Sequence, residues 1–139
     1  MNGIFLGFDF GLKRIGVAIG HRLTGQARPL STLQARQGEP NWEEVRRYLK
    51  TWQPEALIVG IPTKVDGSEQ YTTPLAHHFA GSLKQHFNYP VHLVDERFST
   101  VEARAQLFEA GGYKHLKRTE VDSVAACIIL EQWLNSTDS

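Results

Sequence analysis

Residues 3–10, Gly-Ile-Phe-Leu-Gly-Phe-Asp-Phe, form an apolar run broken by a single charge, Asp9, and predict a buried strand. A polar turn, Gly11-Leu12-Lys13-Arg14, separates it from a second apolar run over residues 15–20, so the two predict a hairpin. Residues 27–34 predict a third strand, with Pro29 near its start, where an edge position tolerates a missing N–H. From residue 41 to 53 the spacing becomes helical: Trp42, Val45, Leu49 and Trp52 share one face, and Pro54 stops the helix. The continuous run Ala56-Leu57-Ile58-Val59-Gly60-Ile61 predicts a strand buried on both faces. A polar loop over residues 62–70, with an Asp66-Gly67 turn, leads to a second helix over residues 72–87 and a strand over residues 91–96.

Two capping boxes follow. Ser99-Thr100-Val101-Glu102 starts a helix that Gly111-Gly112 ends, and Thr119-Glu120-Val121-Asp122 starts a last helix over residues 121–134, apolar on nearly every side. The order β-β-β-α-β-α-β-α-α predicts an α/β fold: a five-stranded mixed sheet with helices on both faces. If the first, fourth and fifth strands are parallel, Asp9, the 62–70 loop and Glu96 meet at one sheet edge, where open α/β sheets bind ligands.

The chain has 139 residues, 41% apolar and 22% charged, with neither repeats nor a composition break, and is expected to form a single domain over residues 1–139. Lys and Arg balance Asp and Glu, so bulk charge does not drive nucleic-acid binding and any such binding needs a local patch. The best patch is Lys114-His115-Leu116-Lys117-Arg118, with Lys13, Arg14, Arg97 and Arg104 near the expected edge. Singly, each of these cations is better explained by a solvated face or an ordinary ion pair. One cysteine, Cys127, excludes an intrachain disulfide, and the N-terminus resembles neither a signal peptide nor a membrane span. A cytoplasmic protein with no membrane partner is expected. His77 and His78 diverge on a helix and read as surface residues; Cys127 reads as core.

Asp9 is the most unusual charge, because a carboxylate in a buried strand is costly unless paired, hydrogen-bonded in the Gly11 turn, or bound to a metal. Asp95 and Glu96 are adjacent in a strand and point to opposite faces, so only one of them can join Asp9. Asp122 reads either as a capping residue or as a site residue whose small neighbours Ser123, Ala125 and Ala126 let a ligand come close. Separated carboxylates without Cys or paired His suit Mg²⁺ or Mn²⁺. Two such ions about 3.5–4 Å apart support phosphodiester hydrolysis.

Four segments together carry a resemblance: Phe8-Asp9-Phe10-Gly11 with Lys13-Arg14-Ile15-Gly16-Val17-Ala18; Val59-Gly60-Ile61-Pro62 with Asp66-Gly67; Asp95-Glu96-Arg97-Phe98-Ser99-Thr100; and Asp122-Ser123-Val124-Ala125-Ala126. In this order they resemble the YqgF family, from about residue 4 to residue 134. These are Holliday-junction-resolvase-like proteins of the RNase H fold that process the 5′ end of precursor 16S ribosomal RNA. The resemblance implies that Asp9, Glu96 and Asp122 converge on a divalent-metal site as metal-holding and catalytic residues. It selects Glu96 over Asp95. Lys13, Arg14, Arg97, Lys114, Lys117 and Arg118 are then the candidate nucleic-acid contacts.

Thr63 stands where the family often has an apolar residue, and junction resolvases of this fold carry a fourth carboxylate near the last one, where this chain offers only Glu120. That favours RNA over the alternative of a Holliday-junction resolvase acting on branched DNA. A non-catalytic RNA-binding assembly factor is a further alternative, and the protein is expected as a monomer or homodimer.

Overall fold

The apolar run near the start of the chain becomes β1 (Ile4–Asp9), buried from Phe5 onwards. The computed structural model describes residues 2–62, 71–95 and 118–136. Next come β2 (Arg14–His21), β3 (Gln26–Arg36) and β4 (Glu39–Pro40), forming successive antiparallel pairs with β1 at the start of the series. After helix α1 (Trp42–Trp52), β5 (Ala56–Ile61) pairs parallel with β1. Helix α2 (Thr73–Phe87) leads to β6 (Val91–Asp95), which pairs parallel with β5, and α3 (Arg118–Ser136) follows. The sheet order is β4-β3-β2-β1-β5-β6, so the expected hairpin and the parallel trio are both present.

The sheet has six strands where five were expected. The additional one, β4, is two residues long and carries no readable period. It forms because Gln37 (φ 53) and Gly38 (φ 86) both take the left-handed conformation of a two-residue hairpin turn. The β2–β3 register slips between Val17 and Ala18, which pair with Ser31 and Pro29, leaving Leu30 as the extra residue. Pro29 lies where β4 does not reach, since β4 pairs only with Ala35 and Arg36, so its missing N–H disturbs no ladder.

Helix α1 obeys its pattern: Val45 and Leu49 are buried, and the Asn41 side chain caps it by accepting from the Glu43 N–H at 3.0 Å. It ends at Gln53 in the left-handed conformation (φ 48), immediately before Pro54. At the start of α2 the buried Thr73 hydroxyl donates to the Pro62 carbonyl, tying that helix to the end of β5.

Helix α3 corrects the expected start at residue 121. It already runs from Arg118, so Thr119 lies inside the helix and cannot cap it, and Asp122 falls in the second turn. Arg and Glu are strong helix formers, and the packing of the following turns on the sheet supports the extra turn. The expected helix after Ser99, its Gly111-Gly112 end and the Asp66-Gly67 turn lie outside the described residues.

Alternation in the strands sorts the core into two layers. Leu6, Phe8, Ile15, Val17, Leu57 and Val59 pack with Val45 and Leu49 of α1 and Phe79 and Leu83 of α2. On the other face Phe5, Ala18, Ala56, Ile58 and Val94 pack with Ala126, Cys127, Ile129 and Leu130 of α3. No helix among the described residues is long and apolar enough to cross a membrane.

Candidate active site

Phe8 and Phe10 aim the acid between them. Both rings pack on Phe79 of α2, with centroids 5.8 and 5.5 Å from it. Successive strand side chains point to opposite faces, so Asp9 is turned to the α3 face. It is 7% exposed and stands at the last position of β1. Its ladder partners are Gly16 in β2 and Gly60 in β5, so neither neighbour in that row carries a side chain.

Gly16 also receives α3. A Cβ at Gly16 would lie 1.9 Å from the Asp122 carbonyl oxygen and 2.9 Å from the Ser123 nitrogen. Only a residue without a side chain lets the helix backbone come so close. Gly16 therefore has Asp9 beside it across the ladder and Asp122 above it on the helix. From there the Asp122 carboxylate reaches the first residue of β2: its Oδ2 accepts from Arg14 Nε at 2.9 Å, with both side chains 25% exposed. This ion pair ties the Asp122 side chain to the sheet. Ser123 and Ala126, expected to leave room for a ligand, are instead buried against the sheet, with the Ala126 carbonyl 3.2 Å from where a Gly7 Cβ would stand.

The parallel strands bring their ends to one edge. Asp9 lies opposite Gly60, and the next pair along, Ile61 and Asp95, ends β5 and β6. Asp95 shares the face of Ile61, which packs in the α1–α2 layer, so it lies on the face opposite to Asp9 and does not join it. Glu96, Arg97, Lys114 and Lys117 lie outside the described residues, as does Arg104. Arg118 is the first residue of α3. Lys13 is exposed in the β1–β2 turn, and its carbonyl accepts from the Ala35 N–H at 2.9 Å. Arg14, expected to touch phosphate, directs its Nε to Asp122.

His77 and His78 are exposed, as expected. Cys127 is core: burial, and then the Glu131 carboxylate, push its thiol up to about 12.

The arrangement suits a hard cation in its donor chemistry, with two carboxylates at one sheet edge and side-chain-free positions beside Asp9. Asp9 and Asp122 do not complete a ligand set: no group of three or more His, Cys, Asp or Glu side chains able to hold an ion occurs among the described residues. Sequence reasoning overlooked Gly16 as the contact between the acids and Arg14 as the partner of Asp122. The signal for the first was visible, since Gly16, Ala18 and Gly20 put small residues at every second position of β2, the mark of a close approach.

Comparison with known proteins extends these findings. The RuvX family, described as Holliday junction resolvase, matches residues 3–136. A Legionella pneumophila (strain Paris) protein named "Putative pre-16S rRNA nuclease" is 59% identical over 136 residues, covering 98% of each chain. A Klebsiella pneumoniae protein of the same name is 52% identical over 99% of each. Among solved structures, the chain is similar to Thermus thermophilus RuvC in complex with a Holliday junction substrate, with a TM-score of 0.55 and 20% identity, covering 96% of this chain and 94% of that one. It is also similar to the fowlpox virus Holliday junction resolvase, with a TM-score of 0.56 and 16% identity over 96% of this chain and 99% of that one. The fold is the RNase H fold of RuvC-like resolvases.

Proposed function

The chain belongs to the RuvX (YqgF) family, and on that premise we propose that it is a nuclease that processes the 5′ end of precursor 16S ribosomal RNA with the help of Mg²⁺ or Mn²⁺. Residues 1–139 act as one nuclease domain in the cytoplasm, as a monomer or homodimer. The observation that carries the reading is the meeting of Asp9 and Asp122 on Gly16 at the edge where β1 ends. Relatives of near-identical length that bear the nuclease name support it.

In this proposal Asp9, Asp122 and Glu96 hold the metal. Asp95 lies on the face opposite to Asp9, and the family resemblance selects Glu96 as the acid of that segment. The ion would supply Lewis-acid charge for phosphodiester hydrolysis. The protein's own work is to hold the acids rigidly: Asp9 through Phe8 and Phe10 on Phe79, Asp122 through the seat of α3 on β2. Lys13, Arg97, Lys114, Lys117 and Arg118 supply phosphate contacts.

The test is cleavage of labelled precursor rRNA and of four-way DNA junctions, each with and without Mn²⁺. Metal-dependent cutting of the RNA to leave a 5′-phosphate is expected, together with loss of cutting in Glu96→Gln. Efficient resolution of junctions with intact rRNA would move the protein to the resolvase alternative. Absence of cleavage with every divalent ion would make it an RNA-binding assembly factor.

A further inference from the structure

Asp9 and Asp122 both stand next to Gly16, and Asp122 is held by a cation. Arg14 Nε lies 2.9 Å from Asp122 Oδ2, in a pair where both side chains are only 25% exposed. The partners are 108 residues apart in the chain, so tertiary structure alone makes this contact. Arg14 opens β2 and shares the α3 face with Gly16, two positions along the same strand. The guanidinium is therefore fixed by the strand, the carboxylate by the helix, and their meeting by the glycine contact between these elements. A guanidinium keeps its charge at any working pH and is a directional donor. At this position it balances the charge of the Asp122 carboxylate.

We infer that Arg14 is a positioning residue that serves as the internal counter-cation of the acidic site: it holds Asp122 and neutralises it while no metal is bound, and it competes with a divalent ion for the same carboxylate. The inference rests on the metal-site reading above and adds to it a residue that sets metal affinity. While Arg14 engages Oδ2, a metal shares Asp122 with a positive charge or takes the oxygen from it. Either way the arginine weakens metal binding and stabilises the metal-free protein. These two effects have opposite signs, whereas a residue that merely supported the fold would, when removed, weaken both stability and metal binding.

The experiment measures thermal unfolding and Mn²⁺ binding by calorimetry, with Mn²⁺ alone as the probe, for the wild type, Arg14→Gln, Arg14→Lys and Asp9→Asn. Arg14→Gln is expected to melt roughly 2–5 °C lower without metal. It should bind Mn²⁺ on the order of tenfold more tightly, the Coulomb effect of removing one unit charge from beside a divalent ion at near-aqueous screening. Its melting temperature should consequently rise further on Mn²⁺ addition than that of the wild type. Arg14→Lys retains the charge without the planar fork and should fall between the two. Equal or weaker Mn²⁺ binding in a folded Arg14→Gln protein overturns the role of Arg14 while leaving the metal site standing. Absence of Mn²⁺ binding in the wild type, or binding undiminished in Asp9→Asn, overturns the site itself and the inference with it.

Discussion

The carbonyl oxygen of Asp122 rests where a side chain of Gly16 would have to be, 1.9 Å from the position of its absent Cβ. This contact joins the second turn of α3 to the ladder partner of Asp9, and so sets where the two acids stand relative to each other. Gly16→Ala adds one methyl group against main-chain atoms that cannot rotate away, so α3 must lift from β2. Overpacking of this kind should cost at least about 2 kcal/mol. The proper check is urea unfolding beside Mn²⁺ titration: a variant as stable as the wild type, with an unchanged Mn²⁺ response, would show that the contact is dispensable.

Asp9→Asn keeps the shape of the side chain and removes its charge. Mn²⁺ should raise the melting temperature of the wild type, because an ion that binds only the native state stabilises it by mass action. In the variant the rise should vanish along with cleavage, and chelation by EDTA should stop the wild type in the same way. Thermal shift and circular dichroism together separate this from unfolding, and an undiminished rise would place the ion elsewhere.

Glu131 ties α3 to the start of β3, where its Oε2 accepts from the Ala27 N–H at 2.8 Å. Two residues before Ala27, the Gly25 carbonyl accepts from Asn135 Nδ2 at 2.9 Å. Glu131→Ala leaves the Ala27 amide without its acceptor and should cost about 1–3 kcal/mol, as for other lost charge-assisted bonds. Hydrogen exchange at Ala27 should quicken locally. If protection there is unchanged, the bond contributes nothing in solution.

The Cys127 thiol, pushed up to about 12 by burial and by the Glu131 charge, stays protonated across the physiological range. Iodoacetamide at pH 8 should leave it unmodified in the native protein and alkylate it fully in urea. Linkage gives the sign of the pH effect. The thiol pKa is higher folded than unfolded, so the folded state holds its proton longer, and the stability this contributes is complete below the unfolded value. That stability is then lost as pH rises from the unfolded value of 9.0 towards about 12. Cys127→Ala should lose less stability than the wild type across that alkaline window in urea melts, and parallel curves for the two would contradict the assignment.

Lys117→Glu with Arg118→Glu should weaken RNA binding to a similar extent for every sequence, reduce its salt dependence and leave the cleavage position unmoved. Filter binding at several salt concentrations measures this, and a shifted cut site would instead give these residues a part in sequence reading.

What the sequence determined by itself was whatever a segment's own burial records. The run from Ala56 to Ile61 is buried at every residue, as an uninterrupted apolar stretch requires, and α1 keeps the face and the stop that its spacing and Pro54 predict. A charge in the buried run that became β1 marked Asp9 before any fold was known, because burying a carboxylate demands compensation. Tertiary structure decided the rest. Two-residue β4 has no period to read, and the helix expected to begin after a Thr119 cap runs through it because packing outweighs a weak local stop. Alternation separated Asp95 from Glu96 in principle, but only the register of β6 beside β5 showed that Asp95 lies on the far face from Asp9. The pairing of Arg14 with Asp122 left no local trace at all, because attraction between charges 108 residues apart is felt only once sheet and helix have closed on Gly16.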